Sequence, residues 1–167
     1  MEARPRPGCS GLAPELNVRL AGPAEEAEVG SLIAGFRDFY GEAEPDDEQI
    51  ARTVAELLDD KRTEFLLVGQ PAVGVAQLRF RPSVWTGAED AWLEDLFVIE
   101  GARRGGAGRA LVHGCVDRAR ARGCKRIQLD ANERNDAALA LYESLGFSNA
   151  TSGRFDGGRN LYLTRWL

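Results

Sequence analysis

The sequence has few of the residues that build metal centres and disulfide frameworks. It contains one histidine, His113, and three cysteines, Cys9, Cys115 and Cys124, among 167 residues. No Cys-x-x-Cys pair occurs, and His113 and Cys115 lie two positions apart on a predicted helix, where they face different directions. A structural zinc site needs more ligands than these, so we expect no metal. The odd number of cysteines is typical of a reduced, cytoplasmic protein.

Long apolar runs and an excess of positive charge are also missing. Residues 1–16 hold no apolar stretch of the kind found in signal peptides or membrane anchors, so we expect no membrane association. The formal net charge is −5, which disfavours nucleic acid as a partner because that partner usually requires a basic face. With 44% apolar and 28% charged residues, the composition is that of a globular protein. A negative surface favours a cationic small molecule instead.

Glycine and proline in residues 1–15 predict a flexible tail, and residues 16–167 are long enough for a single domain. Apolar spacing predicts seven strands, over 16–20, 64–68, 73–80, 91–99 and 126–130 and near 148–155 and 160–166. It predicts four helices, over 23–39, from Asp46, over 106–122 and over 135–145. This order indicates an α/β (α+β) fold, with a mixed, mostly antiparallel sheet of about seven strands flanked by helices. The polar stretch 81–90 is expected to be a connection.

A glycine-rich turn joins the predicted strand 91–99 to the next helix, with Gly105, Gly106 and Gly108 in it. Such a turn leaves backbone N–H groups unpaired at the positive end of the helix dipole, which suits a phosphate or pyrophosphate. A helix start that needs glycine only for packing is the alternative. Three arginines would add positive charge at the same mouth: Arg103, Arg104 and Arg109.

Two other phosphate motifs fit this turn less well. A Walker loop requires Gly-Lys-Ser/Thr, which the sequence does not contain. A dinucleotide fingerprint has Gly106-x-Gly108 after a strand and Asp130 at the end of the next strand, but Leu111 occupies the place of its third glycine. The turn also lies two thirds along the chain, which leaves too few βα units for a doubly wound sheet.

Two motifs in matching secondary structure resemble a known family. Arg103-x-x-Gly106-x-Gly108 is similar to Gln/Arg-x-x-Gly-x-Gly/Ala, the acetyl-CoA signature of the GNAT N-acetyltransferases. Residues 135–147 are similar to the second motif of that family, Asn-x-x-Ala-x-x-x-Tyr-x-x-x-Gly-Phe. The resemblance runs from about Val18 to the C-terminus. Residues 92–98 look most like the corresponding strand of the diamine N-acetyltransferases.

The resemblance implies acetyl-CoA as cosubstrate, with the coenzyme pyrophosphate on the backbone N–H groups of residues 104–109. The pantetheine arm would pair, strand-like, with residues 96–98, and the Val98 main chain would donate to the thioester oxygen. Asn135 is expected to cap its helix and to touch the coenzyme. The implied cofactor-binding residues are Leu96, Phe97, Val98, Arg103, Arg104, Gly105, Gly106, Ala107, Gly108, Arg109, Asn135 and Ala138.

The resemblance also implies two catalytic side chains. Tyr142 would protonate the departing thiolate, since a phenol of pKa ~10 can donate to a thiolate of pKa ~8.5 at a cost of ~2 kcal/mol. Glu94 would bind the amine and relay its proton. Asp95 should face the other side of the strand, and a local bulge would exchange the two carboxylates. Phe39, Tyr40 and Asp130 are weaker candidates for the acceptor site.

The resemblance therefore implies an enzyme that transfers acetyl from acetyl-CoA to a primary amine by direct attack in a ternary complex. The acidic candidates favour a small cationic amine as acceptor. The alternatives are a GNAT module that binds acyl-CoA without turnover, the acetylation of a peptide or protein N-terminus, and a dinucleotide-binding fragment. A homodimer is an expectation of the family. The basic run over 118–126 is expected to be a solvated helix end rather than a nucleic-acid surface.

Overall fold

The computed structural model of the chain describes residues 16–149. Its strands are β1 (Val18–Leu20), β2 (Thr63–Val68), β3 (Gly74–Ser83), β4 (Ala88–Val98) and β5 (Ile127–Gln128). Its α-helices are α1 (Glu26–Phe39), α2 (Asp47–Asp59), α3 (Ala107–Ala121) and α4 (Asp136–Ser144). Short 3₁₀ turns at Pro23–Glu25 and Glu100–Ala102 precede α1 and α3. The predicted tail over 1–15 and the strand near 160–166 lie outside the described residues, as does nearly all of the strand near 148–155.

The strands form one sheet in the order β1-β2-β3-β4-β5. The first four are antiparallel to their neighbours, and β5 runs parallel to β4. The prediction of a mixed, mostly antiparallel sheet flanked by helices is confirmed. The described part of the chain contributes five strands rather than seven, because the last two predicted strands fall beyond it.

The polar stretch 81–90 is part of the sheet, so its prediction as a connection was wrong. Strands β3 and β4 stay paired as far as Ser83 and Ala88, which leaves residues 84–87 as the turn, with Gly87 at a φ of 64°. The misassignment has a physical reason. Glu89 and Asp90 pair with Arg122 and Arg126, which lie outside this segment, so the segment lacks the apolar alternation by which a strand is recognised.

Each face of the sheet packs against its own pair of helices. Helices α3 and α4 cover one face, where Leu66, Leu78 and Leu111 are buried together. Helices α1 and α2 cover the other, with Phe65 and Val75 in its core. Because successive side chains of a strand point to opposite faces, the two cores use alternate residues of β2 and β3.

Two predicted helix starts are confirmed, and a left-handed glycine ends α4. Asp46 accepts a hydrogen bond from the Gln49 N–H at the start of α2. Asn135 accepts one from the Ala138 N–H at the start of α4. Gly146 follows α4 with a φ of 87°, and the chain then folds back behind it.

The basic run at the end of α3 makes ion pairs with the sheet rather than facing solvent alone. Arg118 and Arg122 both bind Glu64, at 2.7 and 3.4 Å. Arg126 binds Asp90, a side chain that is only 1% exposed. The expectation of a solvated helix end is corrected accordingly, since these arginines neutralise carboxylates that β2 and β4 carry.

Candidate active site

Strands β4 and β5 separate halfway along β4. Their pairing ends at Trp92 and Gln128, yet β4 continues to Val98. Within the described residues, β4 therefore pairs only with β3 beyond Trp92. The Ile99 N–H donates to the Val73 carbonyl at 3.0 Å. Bond direction alternates along an antiparallel strand, so the peptide groups of Leu96 and Val98 face the gap, whereas those of Phe97 face β3.

A β-bulge in β4 decides which carboxylate faces which side of the sheet. Gln77 lies opposite Asp95 and Leu78 opposite Leu93, which leaves Glu94 as the extra residue. The alternation therefore shifts at Glu94, and Asp95 follows the face of α1 and α2. The family resemblance had placed Glu94 on the substrate side, with a local bulge as the condition that would exchange it with Asp95, and β4 contains such a bulge. Glu94 is exposed at the surface.

Asp95 is partly buried, and no hydrogen bond or ion pair to its carboxylate occurs among residues 16–149. Burial, together with the nearby carboxylates of Glu94 and Asp130, raises the pKa of Asp95 to about 6. A carboxylate with this pKa is ionised at pH 7 and is a stronger base than an ordinary aspartate. Asp130 itself is exposed.

Tyr142 lies on α4, where it is 8% exposed and packs against Phe147 with ring centroids 5.7 Å apart. Burial raises the pKa of Tyr142 to about 12, with smaller contributions from Cys115, Tyr40 and Asp130. The phenol is therefore protonated throughout the physiological range. Asp130 raises the pKa of both Asp95 and Tyr142, so its charge acts on both groups.

The glycine-rich turn begins where β4 ends. Gly106 has a φ of 90°, a left-handed conformation that favours glycine, and a Cβ there would lie 3.2 Å from Leu16 Cδ1. Gly106 is the N-cap of α3 and supplies no side-chain cap, so the first N–H groups of the helix have no side-chain acceptor. A Cβ at Gly108 would make an ordinary contact, 3.5 Å from Leu141. Bare backbone donors at the end of the β4–β5 gap fit the pyrophosphate of a coenzyme.

The arginines of this turn make specific contacts. Arg103 Nε donates to the Val98 carbonyl at 2.9 Å, and its guanidinium lies 4.4 Å from the centre of the Phe39 ring. Arg109 donates to Ser144 Oγ at 2.9 Å and so joins α3 to α4. Arg104 is exposed and has a positive φ of 63°. Arg103 thus links the last residue of β4 to the end of α1.

The end of α1 brings Phe39 and Tyr40 towards the gap, with 55% and 57% of each residue exposed. Their rings belong to an aromatic cluster with Phe36 and Phe97. A cavity of about 630 Å³ lies between α1 and the end of β4, next to this cluster and to Arg103. Of the remaining predicted coenzyme contacts, Gly105 and Ala107 lie at the start of α3, and Asn135 and Ala138 lie at the start of α4.

Sequence reasoning missed a group of side chains beyond Asp95 on the same face of the sheet. The Arg81 guanidinium lies 5.0 Å from the centre of the Trp92 ring and donates to Gln128 Oε1 at 3.2 Å. Arg79 lies opposite Trp92 in register and is exposed. The sequence signal for this group was the spacing of Gln77, Arg79 and Arg81 at every second position. The prediction of a connection over 81–90 left Arg81 out of the strand and so hid this pattern.

No group of three or more His, Cys, Asp or Glu side chains in residues 16–149 is arranged to hold a metal ion. In the same part of the chain, every helix is too short or too polar to cross a membrane.

Residues 30–147 match the acetyltransferase (GNAT) family. A crystal structure from Arthrobacter sp. FB24, named as an acetyltransferase, is 30% identical, has a TM-score of 0.81 and covers 97% of this chain and 100% of its own. An uncharacterized N-acetyltransferase of Bacillus subtilis strain 168 is 29% identical over 139 residues, 81% of this chain and 92% of that protein. The ribosomal protein bS18-alanine N-acetyltransferase of Escherichia coli K12 is 41% identical over 66 residues, 40% of this chain and 45% of that protein.

Proposed function

Because the chain belongs to the GNAT family of acetyl-CoA-dependent N-acetyltransferases, we propose that it acetylates a primary amine that binds in its cationic form at Asp95. The observation that carries this proposal is the meeting of three features at one gap in the sheet. These are the free edge of β4, the bare backbone turn at Gly106 and the unpaired carboxylate of Asp95.

The coenzyme would lie along the gap between β4 and β5. When bound, acetyl-CoA supplies the acetyl group as a thioester. The N-terminal N–H groups of α3 would hold its pyrophosphate, and the peptide groups of Leu96 would pair with its pantetheine arm, while the Val98 carbonyl keeps its hydrogen bond from Arg103. The Val98 N–H would donate to the thioester oxygen, which gains negative charge as the amine attacks.

Asp95 would prepare the amine for attack. An aliphatic amine of pKa ~10 is about 0.1% neutral at pH 7, so supplying the free base costs ~4 kcal/mol. A carboxylate with a pKa of about 6 accepts that proton at a cost ~3 kcal/mol lower than an ordinary aspartate would. Glu94 and Asp130 add negative charge that attracts the ammonium ion to Asp95.

Tyr142 would return a proton at the end of the reaction. Its phenol stays protonated at neutral pH, and with a pKa of about 12 it donates to a thiolate of pKa ~8.5 at a cost of ~5 kcal/mol, rather than the ~2 kcal/mol of an ordinary tyrosine. A buried acid at this place also argues against the alternative of a module that binds acyl-CoA without turnover, because binding alone does not require a proton donor beside the thioester.

Two acceptor classes fit an acidic site. One is a small cationic amine, to which the resemblance of residues 92–98 to the diamine N-acetyltransferases points. The other is a peptide N-terminus, supported by the bS18-alanine N-acetyltransferase among the relatives.

We also expect, from composition and family, that residues 16–167 form a single domain and that the protein is cytoplasmic and forms homodimers.

The test measures thiol release from acetyl-CoA with a panel of amines, together with the affinity for acetyl-CoA. Gly106→Val should abolish coenzyme binding while the fold survives, because the new side chain distorts the turn and blocks its N–H groups. Gly101→Val is the matched control, since a Cβ at Gly101 meets no atom within 4 Å. Unchanged affinity in Gly106→Val would show that the turn does not hold the phosphates.

A further inference from the structure

A second charged surface adjoins Asp95 on the face of the sheet that carries α1 and α2. We call it the arginine face and define it by Arg79, Arg81, Trp92 and Gln128. Trp92 lies between Arg79 on β3 and Gln128 on β5, both of which are its register partners. Arg81 covers the Trp92 ring and bonds to Gln128, so contacts confirm that Arg81, Trp92 and Gln128 share one face, and Arg79 is assigned to it by register.

The two arginines of this face have no ion-pair partner in residues 16–149, although acidic residues are close by. Asp90 lies opposite Arg81 in register, but its carboxylate is buried and binds Arg126 at 2.7 Å. Asp60 is near enough to Arg79 to have its pKa lowered, yet its oxygens accept from Thr63 and from the Arg62 N–H. The charges of Arg79 and Arg81 therefore remain available to a ligand.

The arginine face and the carboxylates lie at a defined spacing. Gln77 is opposite Asp95, and Arg79 and Arg81 follow it by two and four residues on β3. With a strand rise of ~3.4 Å per residue, the arginines lie ~7 and ~14 Å from Asp95 along the sheet. A ligand that spans both would carry a cation at one end and an anion ~7–14 Å away.

We propose, on the basis of the proposed function, that the acceptor is a peptide whose N-terminal amine reacts at Asp95 and whose acidic side chain binds Arg79 and Arg81. An extended peptide rises ~3.4 Å per residue, so the acidic side chain belongs to about the third to fifth residue. A free amino acid is too short to reach the arginines. A polyamine would place a second cation against them, which like-charge repulsion disfavours.

The experiment compares five-residue peptides with a free N-terminal alanine and an amidated C-terminus. Glu, Gln or Lys occupies the third and fifth positions, so only side-chain charge differs. We expect kcat/KM to be about 5- to 20-fold higher for the Glu peptide than for the Lys peptide, the range that two exposed charge pairs supply. The double variant Arg79→Gln/Arg81→Gln should bring this ratio close to one. Arg79→Glu/Arg81→Glu should invert it.

Arg52→Glu is the matched control. Arg52 is an exposed arginine on α2 with no bonded partner in residues 16–149. Its charge reversal changes the net charge by the same amount as each substitution in Arg79→Glu/Arg81→Glu. The proposal is overturned if the Glu and Lys peptides react equally, if Arg52→Glu changes the ratio as much as the face variants, or if spermidine reacts faster than every peptide. The last result would leave the proposed function intact. Failure of acetyl-CoA to bind, with no thiol release from any amine, would refute the proposed function itself.

Discussion

Asp90 and Asp95 lie five residues apart on β4, and their surroundings shift their pKa values in opposite directions. Burial raises the pKa of Asp90, but hydrogen bonds from Arg126, Ser83 and Thr86 outweigh it, so the pKa lies below its ordinary value of 3.8. Burial also raises the pKa of Asp95, and there the neighbours are two further carboxylates. One strand thus carries a carboxylate stabilised as an ion and one that is destabilised.

The same contrast separates two regions of the sheet. Next to the end of α3, Glu64 and Glu89 have arginine partners, as Asp90 does. Around the β4–β5 gap, neither Asp95 nor its acidic neighbours Glu94 and Asp130 forms an ion pair within the described residues. Paired carboxylates anchor a helix to a sheet, whereas a group of like charges without partners costs stability and is retained where a reaction or a ligand needs it.

The largest effect should come from Asp95→Asn. Removing the proton acceptor should lower kcat by about 10²–10⁴-fold, because general-base catalysis contributes on that order. In the wild-type protein kcat/KM should rise with pH through about 6, as Asp95 ionises in the free enzyme, and the variant should lack this limb. Steady-state rates between pH 5 and about 8 measure both effects.

Asp90→Asn is the matched control for this substitution, and it should retain turnover per folded molecule. Equal losses of kcat in the two variants would remove the distinction between the carboxylates. Glu94→Gln should lose less activity than Asp95→Asn, since Glu94 lies exposed on the bulge. The reverse order would return the role of base to Glu94.

Tyr142→Phe should have the next largest effect on turnover among substitutions around the β4–β5 gap. We expect kcat to fall by about 10–1,000-fold with little change in acetyl-CoA affinity, because the phenol acts on the leaving thiolate rather than on binding. Isothermal titration with acetyl-CoA and single-turnover thiol release separate the two quantities. Wild-type rates in the variant would exclude Tyr142 from the reaction.

The smallest effect should appear in thermal stability, with opposite signs in the two regions. The folded-state pKa of Asp95 is raised, so its contribution favours folding below pH 3.8 and is lost as pH rises to about 6. Asp95→Asn should therefore raise Tm by about 6–12 °C at pH 7 and change it little near pH 3.8. The folded-state pKa of Asp90 is lowered, so its stabilising contribution exists above 3.8 and is lost as pH falls through the folded value.

Asp90→Asn should accordingly lower Tm at pH 7, and this loss should shrink in acid. Scanning calorimetry at several pH values measures both variants in parallel. If Asp95→Asn lowers Tm at pH 7, then the carboxylate of Asp95 is stabilised in the fold and the contrast with Asp90 does not exist.

Most of the fold was predictable because its signals are local. Apolar spacing located the four helices, and the caps at Asp46 and Asn135 placed two of their starts to within a residue. The hairpin of β2 and β3 followed from its two apolar runs. The extension of β3 and β4 to Ser83 and Ala88 was missed, because its side chains are polar and find their partners on other strands and on α3.

The glycines and Tyr142 could be found in the sequence because their demands are local: a positive φ at Gly106, and a phenol at a fixed place along α4. The sequence could not show which face of the sheet a carboxylate on β4 occupies. A bulge arises only when β3 and β4 pair in a particular register, so the positions of Glu94 and Asp95 depend on contacts between strands. The pKa of Asp95 depends likewise on burial and on Asp130, distant in sequence, because desolvation and Coulomb forces act through space rather than along the chain.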